Sequence, residues 1–258
     1  AVEVICDLRG PASGITVRDL YSARTAAALA SQPERSDPKS GAARLSVVRP
    51  TGRPIASTAV QSLWIVCELV VGSALAWGVA LLMLAMLRSG GTRGALLASA
   101  VGVFAILAYL PFSVAVAVML KRLLIGRYRA TTQPVWGGFF TRHWIVTSAA
   151  KLIPWAVLEG TPFAAMALRA LGAKIGKRVH IHRGVNLQRG GWDLLTIGDD
   201  VTLAQGVVLR LADFEDGQLV VGPITLGDRV TIDVRAGLDP HTVVEDEGYL
   251  APLSALMA

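Results

Sequence analysis

Apolar residues toward the C-terminus return at every sixth position. Leu226, Ile232, Leu238, Val244 and Leu250 are six apart, and Val230, Ala236 and Thr242 each stand two residues before the next member of the series. Two earlier stretches keep this beat: Ile175, Ile181 and Leu187 with Val179 and Val185, then Ile197, Leu203 and Leu209 with Val201 and Val207. An amphipathic helix repeats near 3.6 residues and a half-buried strand near 2, so a fixed six fits neither. Hexapeptide periodicity marks parallel β-helices, where each coil buries its inward residues on the coils above and below. The pattern therefore predicts a left-handed parallel β-helix over residues 171–258. Gln188–Thr196 and Arg210–Val221 break the beat and are predicted to project as loops from one face. Gly176, Gly198 and Gly227 each follow an inward aliphatic residue, and are predicted to form tight corners with positive φ.

Upstream the hydropathy changes character. Leu63–Leu87 and Leu96–Leu120 are apolar runs of 25 residues each, long enough to cross a hydrocarbon core of roughly 30 Å. They lie far from the N-terminus, so neither reads as a cleavable signal peptide. Glu68 is the one charge within them and reads as an interfacial or helix-pairing residue. Residues 121–170 mix Trp136, Phe139, Phe140, Trp144 and Trp155 with Arg142 and Lys151. Aromatic rings beside basic groups suit a helix lying at a membrane surface; an amphipathic core helix is the alternative. The division expected is a helical piece over 1–30, a flexible linker over 31–59, a transmembrane hairpin over 60–122, interfacial helices over 123–170, and the β-helix. A helix already under way at Ala1 and coils left uncapped at Ala258 predict a piece of a longer polypeptide.

Charge places the hairpin. Net charge is +6, and Arg44, Arg49 and Arg53 precede the spans while Lys121, Arg122, Arg127 and Arg129 follow them. The segment between the spans, Arg88–Gly94, holds only two basic residues. By the positive-inside rule both ends face the cytoplasm of a bacterial plasma membrane, in a multi-pass arrangement. The basic excess then reads as contact with anionic lipid, and no aromatic-interleaved basic patch suggests nucleic acid. Cys6 and Cys67 have neither metal-site spacing nor a disulfide framework, which is compatible with a reducing compartment.

Hexapeptide-repeat folds often carry acyl transfer, which directs the search for a base. His180 and His182 flank inward Ile181, so strand alternation places both on one outward face. Either suits a general base near neutral pH. His241 falls at a corner between Leu238 and Thr242. Asp193, Glu215 and Asp216 are insert-loop carboxylates that could orient a histidine or hold a cationic amine. Trp192, after Gly190-Gly191, reads as a substrate-contacting loop residue. His180 and His182 share a strand and His241 is several coils away, so three converging imidazoles for zinc are not expected, and no metal site is assigned.

Several stretches resemble a known family. Ile15-Thr-Val-Arg-Asp-Leu-Tyr-Ser-Ala-Arg-Thr-Ala-Ala-Ala-Leu-Ala30 is similar to the end of a peptidyl carrier domain. Leu171-Gly-Ala-Lys-Ile-Gly-Lys-Arg-Val179, Trp192-Asp-Leu-Leu-Thr-Ile-Gly-Asp-Asp200, Phe214-Glu-Asp216 and Gly222-Pro-Ile-Thr-Leu-Gly227 resemble the membrane-bound terminal region of nonribosomal peptide synthetases of the poly-lysine synthetase type. The resemblance implies a phosphopantetheine-bearing carrier serine upstream of Ala1, hence no cofactor within this chain. It also implies an upstream adenylation domain, a carrier-bound aminoacyl thioester as partner, and further β-helical repeats downstream. The implied activity is acyltransferase-like, joining the activated acyl group to an acceptor amine. Some relatives place a histidine just before the Phe-Glu-Asp loop; Ala212 and Asp213 stand there in this chain. The rival readings are a non-catalytic anchor that scaffolds a synthetase and a standalone acyltransferase.

Overall fold

The structure, a computed structural model, describes residues 52–88 and 90–257. The carrier-like segment, Cys6, Arg44, Arg49 and most of the expected linker lie outside these residues. Helix α1 (Pro54–Arg88) and helix α2 (Gly91–Leu124) follow one another directly. α1 begins inside the stretch expected to be linker, with Pro54 at the first helical position, where a missing N–H costs nothing. Both helices are long and apolar enough to cross a membrane. Their side chains are largely bare: Trp77 is 68% exposed, Phe104 72% and Ile106 75%. A soluble core helix would bury such residues.

The C-terminal half of α2 behaves differently. Ser113, Ala117 and Lys121, four apart, form one buried stripe. Their small side chains at 113 and 117 let helix α3 (Gly138–Ala150) approach. Tyr109 donates its hydroxyl to the Leu152 carbonyl, 2.8 Å away. At the other foot, Ser57 donates to the Trp136 carbonyl at 3.2 Å and meets the Thr141 hydroxyl at 2.9 Å. Helices α4 (Trp155–Leu158) and α5 (Pro162–Ala170) follow. Phe140, Val146, Ile153, Trp155, Leu158 and Leu168 are buried in the same core as the strands. These aromatics and aliphatics thus pack inward, as an amphipathic core helix would.

From residue 174 the chain visits parallel sheets in rotation. The first sheet takes β2 (Lys174–Ile175), β4 (Leu195–Ile197), β9 (Ile224–Leu226) and β12 (Thr242–Val244). The second takes β3 (His180–Ile181), β5 (Thr202–Leu203), β10 (Thr231–Ile232) and β13 (Tyr249–Leu250). The third takes β6 (Val208–Leu209), β11 (Gly237–Leu238) and β14 (Ala255–Leu256). Register follows the hexads: Ile175, Ile197, Leu226 and Val244 align, as do Ile181, Leu203, Ile232 and Leu250. Val201, Leu203, Val207, Leu209, Val230, Ile232, Ala236 and Leu238 have no exposed surface.

The corners correct one expectation. Gly176, Gly198 and Gly227 do not adopt positive φ; the left-handed residues are Arg178, Asp200, Arg229 and Glu247, each two positions later or at the same corner one coil on. Their strain is offset by bonds between coils. Asp200 N–H donates to the Lys177 carbonyl at 3.0 Å, Arg229 N–H to Asp199 at 2.8 Å, and Glu247 N–H to Asp228 at 2.8 Å. Glycine is needed for another reason: a Cβ on Gly198 would collide with the Asp228 carboxylate of the next coil. That carboxylate accepts the Asp199 N–H at 2.8 Å.

The second expected loop is also structured. Residues 210–221 form β7 (Ala212–Glu215) and β8 (Gln218–Val221), an antiparallel hairpin that pairs with β1 (Thr131–Pro134). Asp216 and Gly217 make its turn with φ of 46° and 75°. The hairpin breaks the hexad because it alternates by two and pairs outside the coils.

Candidate functional site

His180 and His182 stand side by side on the outward face of the second sheet. Both are exposed, and their rings meet edge to face with centroids 4.5 Å apart. The buried Ile181 between them fixes their direction. Register extends this face into a polar column, with His180 beside Thr202, Thr202 beside Thr231, and Thr231 beside Tyr249. The Tyr249 hydroxyl donates to Asp233 Oδ2 at 2.8 Å. That bond, more than desolvation or the nearby charge, raises the Tyr249 pKa above its usual value. Asp233 also accepts the Val234 N–H at 2.6 Å. Two strand spacings put Asp233 about 9–10 Å from the His182 row. The face thus offers imidazoles at one end, a carboxylate–phenol pair at the other and hydroxyls between. Sequence reading missed Asp233 and Tyr249; stacking the hexads in register would have placed them in the histidine column.

The other expected site residues lie elsewhere. Trp192, expected on an exposed loop, is fully buried, and its Nε1–H donates to the Leu187 carbonyl at 2.7 Å. The turn Trp192–Leu194 is a short 3-10 helix that tucks the indole into the core, because burial satisfies both ring and N–H. Asp193 points to the foot of α2. Its Oδ1 is 2.7 Å from Lys121 Nζ, and its Oδ2 accepts the Tyr128 N–H at 2.8 Å. Lys121 also donates to the Leu171 carbonyl at 2.6 Å. Glu215 and Asp216 are exposed at the end of the β7–β8 hairpin. His241 is exposed at a corner with φ of 70°. Among the described residues, none of these forms a hydrogen bond or ion pair with His180 or His182.

A second cluster is buried. Tyr128 packs edge-on against Trp192, Phe139 and His143. Its hydroxyl lies 3.1 Å from His143 Nδ1. Burial lowers the His143 pKa from 6.5 to about 4, so the ring is neutral at physiological pH. Burial, reinforced by the Asp193 charge and opposed by a Gly191 backbone bond, raises the Tyr128 pKa. This cluster joins α2, the chain after it, α3 and the 3-10 turn. Its polar groups are satisfied internally, which suits holding elements together. Among the described residues, no group of three or more His, Cys, Asp or Glu could hold a metal ion.

Over 169 residues, 65% of its length, the chain is 31% identical to the delta-poly-L-ornithine synthetase of Acinetobacter baumannii (strain AB307-0294). The chain spans 12% of that protein's length. The likeness and the two apolar helices fit a membrane segment of the poly-amino-acid synthetase kind. No protein-family profile matches the chain, and no solved structure does.

Proposed function

We propose that this chain is a membrane-anchored, acyltransferase-like part of a nonribosomal synthetase that joins a carrier-bound aminoacyl group to an acceptor amine. The likeness to a poly-ornithine synthetase carries the reading. The hexad register supports a left-handed parallel β-helix as its frame, and the bare apolar helices support a transmembrane hairpin. On the insertion scale each exposed Leu, Ile, Val or Phe contributes roughly 0.3–0.6 kcal/mol toward the bilayer.

In the proposed step the acceptor amine attacks the thioester carbonyl. A C–N bond forms, the C–S bond breaks, and the proton lost by nitrogen goes to His182 or His180 and then to the departing thiolate. Asp233, on the same sheet face as the histidines, holds the cationic end of the amino acid; Glu215, on the hairpin between the third and first sheets, lies away from that face. The acyl group arrives on a phosphopantetheine thiol of a carrier domain, which supplies the activated bond. Asp193 holds the joint with Lys121 in this reading.

The test is condensation by the full synthetase carrying His180→Ala or His182→Ala. General-base loss lowers the rate by about 10²–10⁴-fold in at least one variant. Unchanged rates in both, with membrane retention intact, replace this reading with the anchor. One observation favours the anchor: Ala212 and Asp213 provide no histidine beside the Phe214–Glu215 rim.

A further inference from the structure

We infer that the cleft directly after α2 is a binding site for the phosphate headgroup of an anionic phospholipid. Its volume is about 530 Å³, and Ile125, Arg127, Arg129, Thr131 and Phe139 line it. The inference rests on the reading of α1 and α2 as spans, and it deepens that reading by naming a lipid class and its residues.

The local fold makes the site. α2 ends at Leu124, and Gly126, at φ of 76°, turns the chain while its N–H caps the Lys121 carbonyl at 2.9 Å. Residues 126–127 bend, and strand β1 begins at Thr131. Tyr128 points inward and is buried, with its N–H fixed on Asp193 Oδ2. Arg127 and Arg129, on either side of buried Tyr128, both line the cleft. Both are exposed, and neither takes part in any of the six ion pairs among the described residues. Arg142 adds a third cation nearby, its Nη1 lying 3.4 Å from the Leu124 carbonyl.

The chemistry of the lining selects the ligand. Ile125 and Phe139 give an apolar wall, while two guanidiniums and the Thr131 hydroxyl provide donors matched to phosphate oxygens. An apolar wall beside paired arginines fits an amphiphile with an anionic head. The cleft opens within a few residues of the end of α2, whose Met119 and Leu123 stay exposed up to the last turn opposite the buried stripe; in the spanning reading this is the level where the helix leaves the bilayer. A lipid headgroup is already at that level, whereas a soluble phosphate must be captured from solution.

The test uses the full chain in a non-ionic detergent, with dihexanoyl phosphatidylglycerol and dihexanoyl phosphatidylcholine as soluble probes. This reads the cleft whether or not the hairpin inserts. Sedimentation of carbonate-washed phosphatidylcholine vesicles reads insertion separately. Wild type is expected to bind phosphatidylglycerol in preference to phosphatidylcholine. Arg127→Gln/Arg129→Gln is expected to weaken that binding about thirtyfold, while Arg127→Lys/Arg129→Lys retains most of it and confirms that the fold tolerates change here. Near-ultraviolet circular dichroism checks the fold of each variant. Equal binding of the two lipids, or undiminished binding by the folded glutamine variant, overturns the inference. Displacement of phosphatidylglycerol by free phosphopantetheine at lower concentration also overturns it and gives the cleft to the carrier arm. Loss of insertion with lipid preference intact removes the spanning reading and leaves the cleft.

Discussion

At the scale of single residues, Lys121 and Asp193 join the helical and strand halves of the described structure directly. The pair is 72 positions apart and is 6% and 16% exposed at the side chains. Lys121→Met leaves a half-buried carboxylate without its cation and is expected to cost about 3 kcal/mol. Lys121→Met/Asp193→Asn is expected to cost clearly less than the sum of the two single changes, read by denaturant unfolding in detergent. His143 predicts a pH dependence. Its folded pKa lies near 4 and its unfolded value near 6.5, so between those values the unfolded chain binds a proton that the folded chain refuses. Stability is complete above pH 6.5 and declines toward pH 4, by about 3 kcal/mol in total from this residue. Melting across that range checks it, and His143→Gln is expected to flatten the slope. None of this was readable from sequence. No spacing rule connects Lys121 at the end of an apolar run with Asp193 in an insert, and a lone His143 among aromatics looks the same whether buried or at a surface.

At the scale of elements, the hexads were readable because burial in stacked coils demands one apolar residue per face. Leu203 and Thr202 are neighbours with opposite fates, the first fully buried and the second facing outward. Leu203→Ala is expected to cost about 3 kcal/mol, and Thr202→Ala within about 0.5 kcal/mol, both read by thermal unfolding. The outward setting of His180 and His182 followed from the same alternation and is the arrangement observed. The corners were misread because glycine serves two purposes. At Gly198 it makes room for Asp228, while the left-handed turn falls on Asp200, whose N–H is held by the adjoining coil. Residues 210–221 were read as a loop although Asp216-Gly217 is a two-residue hairpin signal between β7 and β8; only the pairing of β8 with β1, more than 80 positions upstream, leaves no local trace. Trp192 was misplaced for a related reason: a glycine-rich lead suggests exposure, yet Gly190 and Gly191 serve close packing against His143 and Leu211.

At the scale of the whole molecule, one physical arrangement links the parts. A pair of apolar helices, bare over most of their length, is held to α3 and its flanking segments through Ser57 and Tyr109, and is tied to the parallel-strand region through Lys121 and Asp193. In the proposed function this rooting holds the histidine face at a fixed distance from the bilayer, where a tethered carrier can reach it repeatedly. The most direct measurement is labelling of single cysteines by a membrane-impermeant maleimide, on a Cys6→Ser/Cys67→Ser background. Leu75→Cys, in the middle of α1, is expected to stay unlabelled in permeabilised vesicles and to react only after denaturing detergent, while Glu215→Cys reacts in both. Prompt labelling of Leu75→Cys in permeabilised vesicles would mean that water bathes the hairpin, and would contradict the account.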